Sequence, residues 1–222
     1  MKIRTISTVG VVAVLFGGAV GLQEYISSQI TSKVQQEMPN ASGISASVPL
    51  VDMPSNLTSD SIKSAEINIK SFALKESGTI TSLEISASSI SKAKPTLIGS
   101  LEVTATIPAS TITKTSEFND AQIVGNTLQV AAGAGGLGTA ILIPKFSKNQ
   151  LYFELQSLSI FGNQIPASSL PANLQNQIKS NSQRSLTPPK GLKVQSVSLS
   201  SDGLSVKMFG NNVRLGNLGS GL

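Results

Sequence analysis

Three stretches in the first half of the chain alternate apolar and polar residues one by one. Ile67 and Ile69 alternate with Glu66, Asn68 and Lys70. Leu83, Ile85 and Ala87 alternate with Glu84, Ser86 and Ser88, and Leu101, Val103, Ala105 and Ile107 with Glu102, Thr104 and Thr106. A period of two sends successive side chains to opposite faces of a strand, so each stretch predicts a β-strand with one buried and one wet face. That alternation favours an antiparallel sheet, because parallel strands are covered on both faces and read as continuous apolar runs. Gly78 and Gly99 are read as lying in the turns between these strands. A hydrophobic fraction of 40% is too high for a disordered chain.

The pattern continues downstream. Pro108 ends the third strand, and residues 110–118 predict a short helix that starts near Ser110 or Thr111 and buries Ile112. Residues 122–132 read as a hairpin turning at Gly125-Asn126, and strands follow at 139–144 and 151–160, closed by a turn at Gly162-Asn163. Residues 169–183 predict a second helix. Pro171 suits its first turn, Leu170, Leu174 and Ile178 share one face, and Pro188-Pro189 is the expected stop. The chain closes in a hairpin, 192–199 with 204–209, across Asp202-Gly203, with Val213 and Leu215 extending that edge. No repeat of twenty to fifty residues and no internal linker divides this body.

The start of the chain is different. Lys2 and Arg4 precede an uncharged run, residues 6–22, ISTVGVVAVLFGGAVGL. A basic start followed by an apolar stretch is an export signal or a membrane anchor. Ala19-Val20-Gly21 has small residues in roughly the spacing that a signal peptidase reads. However, Ile26, Ile30, Val34 and Met38 continue the pattern every fourth residue, which predicts an amphipathic helix leaving the membrane. The favoured organisation is an uncleaved anchor over 1–22, a linking amphipathic helix over 23–38 and a β-rich domain over 39–222. The basic residues stay in the cytoplasm, so the body is expected outside the plasma membrane on a single-pass anchor.

Composition narrows the chemistry. The chain has no His and no Cys, which removes the commonest general base, the commonest metal ligand, thiolate nucleophiles and disulfides. The four Asp and eight Glu are scattered singly, and no cluster has metal-ligand spacing. Glu66, Glu84, Glu102 and Glu154 fall on polar strand faces, where solvation or cross-strand pairing with Lys is the usual role. Two motifs invite a catalytic reading. Gly133-Ala134-Gly135-Gly136-Leu137-Gly138 matches G-x-G-x-x-G, but a strand rather than a helix follows it, so a flexible connection or close backbone packing is the better reading. Ser89-Ile90-Ser91-Lys92 matches S-x-x-K, but it trails a strand and no K-T-G completes it. No enzyme, cofactor or metal is expected.

The net charge of +5 is unevenly placed. Residues 1–166 balance, whereas Lys179, Arg184, Lys190, Lys193, Lys207 and Arg214 stand against Asp202 alone in the last quarter. On an exported protein this excess points to anionic lipid head groups or cell-wall polymers rather than to nucleic acid. A solvated basic face with no partner is the plain alternative.

The C-terminal stretch Leu186-Thr187-Pro188-Pro189-Lys190-Gly191-Leu192-Lys193-Val194-Gln195-Ser196-Val197, then Asp202-Gly203-Leu204-Ser205-Val206, then Gly210 and Val213-Arg214-Leu215, resembles the LmeA-like phospholipid-binding family. These letters cover residues 186–215, while the layout of anchor, linking helix, strands and Pro-bounded helix is similar along nearly the whole chain. Members usually carry an aromatic G-F-P-type segment after the first helix. Here Ser47-Val48-Pro49-Leu50-Val51 stands in its place. The resemblance implies an α+β fold: a long curved antiparallel β-sheet packed on helices, similar to tubular lipid-binding proteins, preceded by the N-terminal transmembrane anchor. It implies binding of phospholipids, including inositol phospholipids, and a link to lipoglycan maturation in the actinobacterial cell envelope. It brings no catalytic residue.

The resulting expectation is a membrane-anchored, extracytoplasmic domain that holds a phospholipid in an apolar groove. The acyl-groove candidates are Ile67, Leu83, Ile85, Leu101, Val103, Leu128, Val130, Val197 and Leu199. Lys190, Lys193, Lys207 and Arg214 are the candidates for an anionic head group or the membrane surface. The expected partners are an anionic phospholipid such as phosphatidylinositol, and the membrane, with no nucleic acid. The runner-up is a structural or scaffold protein of the envelope with a closed core and no ligand.

Overall fold

In a computed structural model, which describes residues 28, 31, 32, 35, 40–49, 59–73, 80–93, 96–115, 121–132 and 138–214, each alternating stretch is a strand. In chain order the elements are β1 (Ser42–Ser47), β2 (Ser61–Ala73), β3 (Ile80–Ser91), β4 (Leu97–Pro108), α1 (Ala109–Thr115), β5 (Gln122–Val124), β6 (Thr127–Ala132), β7 (Gly138–Ser147), β8 (Gln150–Ile160) and β9 (Asn163–Pro166). A 3-10 turn (Ala167–Ser169), α2 (Ala172–Ser182), β10 (Arg184–Ser185), β11 (Lys193–Ser200) and β12 (Gly203–Arg214) complete them. The anchor segment 1–22 and the apolar face Ile26, Ile30, Val34 and Met38 lie outside the described residues. Ser28, Thr31, Ser32 and Gln35 are helical. Among the described residues no helix is long and apolar enough to cross a membrane.

The strands form two six-stranded sheets rather than one long sheet. The first runs β1-β2-β3-β4-β12-β11, and the second runs β10-β8-β7-β6-β5 with β9 also on β8. The registered pairs are antiparallel, from β1 with β2 in the first sheet to β7, β9 and β10 with β8 in the second. Alternation tells a strand which face to bury but not which strand to pair with, so the separation into two sheets was invisible in the pattern. The chain divides into two compact units. The first holds the described residues up to Ala105, Pro188–Gln195 and the described residues from Lys207. The second holds Thr106–Thr187 and Ser196–Val206.

In the first unit the predicted alternation becomes burial. Ala65, Ile67 and Ile69 on β2, Leu83, Ile85 and Ala87 on β3, and Leu101, Val103 and Ala105 on β4 are buried, and the residues between them are not. Irregular positions interrupt β2 and β3 of this sheet. The β2–β3 register shifts between Ile69 and Phe72, and Ser89 takes a positive φ of 53° inside β3. Opposite Ser89 sits Gly99, which lies within β4 and not in a turn. A Cβ there would stand 2.7 Å from the Ser89 Cβ, so glycine permits the close approach of two strands.

In the second unit α1 buries Ile112 and the β5–β6 hairpin turns at Gly125, both as the sequence predicts. β7 runs on through Pro144, which faces Phe153. The Phe153 N–H is spent on the far side of β8, donating to Ser182 Oγ at 2.9 Å. Pro144 therefore meets a residue that does not exchange hydrogen bonds with β7, and its missing N–H leaves no gap. Ser182 Oγ also lies 3.3 Å from Phe153 O and 3.1 Å from Lys179 O, either of which accepts its proton. This hydroxyl thus ties the end of α2 to β8, in the space between the short partners β9 and β10. Lys179 stacks its ammonium 4.4 Å from the centre of the Tyr152 ring. The helix stops at Ser182, short of Pro188-Pro189, because Arg184 and Ser185 leave it to pair with Leu151 and Gln150.

Candidate functional site: an apolar sheet face

The groove candidates fall into three groups. Ile67, Leu83, Ile85, Leu101 and Val103 come together on β2, β3 and β4, three neighbouring strands of the first sheet. Ile67 stands directly across from Ile85, and Leu83 across from Ile69. Leu128 and Val130 are placed elsewhere, on β6 of the second sheet, opposite Leu142 and Ala140. Val197 and Leu199 lie on β11, and of the two only Leu199 is buried. The face that forms is aliphatic. It carries one aromatic, Phe72, opposite Thr81 at its end.

Exposure of this face decides what it can do as it stands. Ile67, Leu83 and Leu101 are 0% exposed, and Ile85 and Val103 are 1% exposed. Solvent does not reach them, so in this conformation the face is covered. Thr81 is 1% exposed on the same face as Leu83, and its Oγ1 has no hydrogen-bond partner among the described residues.

The basic candidates belong to the first unit as well. Lys190, Lys193 and Arg214 are exposed. Lys207 is half-buried on β12, and its Nζ lies 2.8 Å from Glu102 Oε1 on the adjacent β4. Its charge is therefore matched within the sheet. Glu154 pairs similarly with Lys145, at 3.9 Å, so these two glutamates fill the cross-strand ion-pair role. Among the described residues no group of three acidic side chains could hold a metal ion.

The tempting motifs take structural roles. Of the glycine-rich run, Gly138 is described. It opens β7 rather than a helix, and a Cβ there would come 2.9 Å from Ser159 O. Ser89 is a strand residue, and Lys92 Nζ donates to Ser59 O at 2.7 Å. The C-terminal motif also holds the fold. Leu192 N–H bonds Pro189 O at 2.9 Å, and Ala109 N–H bonds Asp202 O at 3.0 Å. Gly203, at φ +139°, leaves no room for a Cβ beside the Ile107 carbonyl, and Gly210 leaves none beside Gly191 O. Close backbone packing accounts for Gly203 and Gly210 of this motif.

One exposed residue escaped the sequence reading. Phe161 is 79% exposed at the β8–β9 turn, which runs through Phe161-Gly162 and not Gly162-Asn163. Asn163 is the first residue of β9 and pairs with Ile160. The spacing of two residues between alternating runs was the available signal.

No family model, no curated protein and no solved structure matches this chain.

Proposed function

We propose that this chain is a phospholipid-binding protein, held outside the plasma membrane by its N-terminal apolar segment, and that the face of β2, β3 and β4 receives acyl chains. The observation that supports this reading is the convergence of Ile67, Leu83, Ile85, Leu101 and Val103 into one aliphatic face on adjacent strands. Acyl carbons packed there would gain roughly 25 cal/mol for each Å2 of apolar surface taken from water. Because the face is covered, uptake requires the acyl chain to displace what covers it. The register shift on β2 and the positive-φ residue on β3 bend and twist their strands. Such bending suits the curved lipid-holding sheet of tubular lipid-binding proteins, which the resemblance to the LmeA-like family implies.

The exposed Lys190, Lys193 and Arg214 would meet an anionic head group or the membrane surface, each contributing at most about 1 kcal/mol. Lys207 would join them only by exchanging Glu102 for a phosphate. Phosphatidylinositol is the proposed lipid, and support of lipoglycan maturation or lipid transfer the proposed role. No catalytic step is assigned.

The complete burial of the face favours a second reading, an envelope scaffold with a closed core and no ligand. Native mass spectrometry with lipid extraction, on the full-length chain purified from membranes, separates the two. A stoichiometric bound phospholipid supports the first. A chain that is lipid-free and stays so with added phosphatidylinositol gives the second.

A further inference from the structure

The β8–β9 hairpin turns through Phe161 and Gly162, at φ +49° and +81°. Two-residue hairpin turns with positive φ at both central positions favour Asn, Asp or Gly at the first. A bulky aromatic side chain in that backbone region is a steric outlier. Its ring is also the most exposed of the large apolar side chains among the described residues, at 79% against 48% for Val124 and 40% for Leu97. Phe161 is therefore unfavourable twice over, in backbone and in exposure, and packing among the described residues compensates for neither. Such a side chain is explained by a contact outside the fold.

The surroundings indicate the chemistry of that contact. Residues 155–178, which contain the whole hairpin tip, include no Asp, Glu, Lys or Arg. The tip can enter a low-dielectric medium without removing a charge from water. A single ring projecting from a tight turn suits a medium that closes around it, and Phe is among the apolar side chains that interfacial helices bury at the boundary of head groups and acyl chains. Residues 6–22 supply an apolar run that would keep the domain beside such a surface.

We propose that Phe161 is a membrane-insertion tip, whose ring enters the interfacial layer of a phospholipid bilayer and docks the second sheet on it. This rests on the reading of the chain as a membrane-held protein and adds a contact that uses none of the basic residues. The chain has no Trp, so Phe161→Trp introduces a single indole reporter. The full-length variant is placed in nanodiscs of phosphatidylcholine with or without bromine on the acyl chains. The expected result is blue-shifted emission, strong loss of intensity with the brominated lipid, and no change with added salt. Val124→Trp, on the β5–β6 hairpin toward the other end of the same sheet, is expected to stay unquenched. An unquenched, water-like indole at position 161 overturns the proposal. So does equal quenching at both positions, and so does an indole at 161 shielded only on self-association, which would give the tip to a second copy. Lipid extraction from the full-length protein as purified, before it enters the nanodiscs, keeps the test apart from the groove, since quenching at 161 by a protein that carried no stoichiometric lipid and takes up none from added phosphatidylinositol rejects the groove and retains the tip.

Discussion

The two sheets have six strands each but bury their apolar atoms differently. Among the described residues, Ile67, Ile69, Leu83, Ile85, Ile90, Ile98 and Leu101 are fully buried on β2, β3 and β4 of the first sheet, whereas the second has Leu128 and Leu142. In the second unit, Leu158, Ile160, Ile165, Leu170, Leu174 and Ile178 are half-covered, and Phe161 stands in water. The first sheet is thus where the chain invests its core, and the second is where apolar surface is left over for something else. A binding role for the first face has to compete with that core. A binding role at the tip of the second does not.

Substitutions can sharpen or break this contrast. The largest effect is expected for Leu83→Ala, on the fully buried face, which should lower unfolding free energy by about 2–5 kcal/mol in urea titration. A loss well below that range would show the face to be loosely packed and the contrast to be false. Ser182→Ala removes the hydroxyl that receives the Phe153 N–H, and a loss of about 1 kcal/mol is expected, with faster amide exchange at Phe153. Lys207→Met breaks the pair with Glu102 on the wet side of the first sheet. Both side chains are more than a third exposed, so a change of about 0–1 kcal/mol is expected, diminishing with salt. The smallest effect belongs to Phe161→Asn. It puts a residue that tolerates positive φ into the turn, and stability should stay within about 0.5 kcal/mol or rise. A large destabilisation there would mean the ring packs within the fold after all.

β2, β3 and β4 of the first sheet were legible because a half-buried strand writes its period directly into the sequence, as at Leu83, Ile85 and Ala87, whereas the edge strand β1 over Ser42–Ser47, with no buried residue, was not. Pairing was not legible, and for that reason Leu128 and Val130, equally apolar and equally alternating, proved to belong to a different sheet. Irregular positions were misread where one residue type serves two purposes. Gly99 was taken for a turn, but it makes room for Ser89 within the sheet. Gly162 was correctly placed in a turn, but the strain falls on the preceding Phe161, a residue whose type signals strand. The end of α2 depends on β8, distant in sequence, and nothing near Ser182 announces it. The basic residues were visible one by one, whereas the partner of Lys207, Glu102 on another strand, was not.

The central claim is that acyl chains are received on the face of β2, β3 and β4. Photo-cross-linking tests it most directly: phosphatidylinositol carrying a diazirine in its acyl chain, irradiated with the full-length protein and mapped by peptide sequencing. Adducts concentrated on β2, β3 and β4, at or beside Ile67, Leu83, Ile85, Leu101 and Val103, are the predicted result. Adducts confined to the β8–β9 tip, or none at all, would contradict it and leave the first sheet as a closed core.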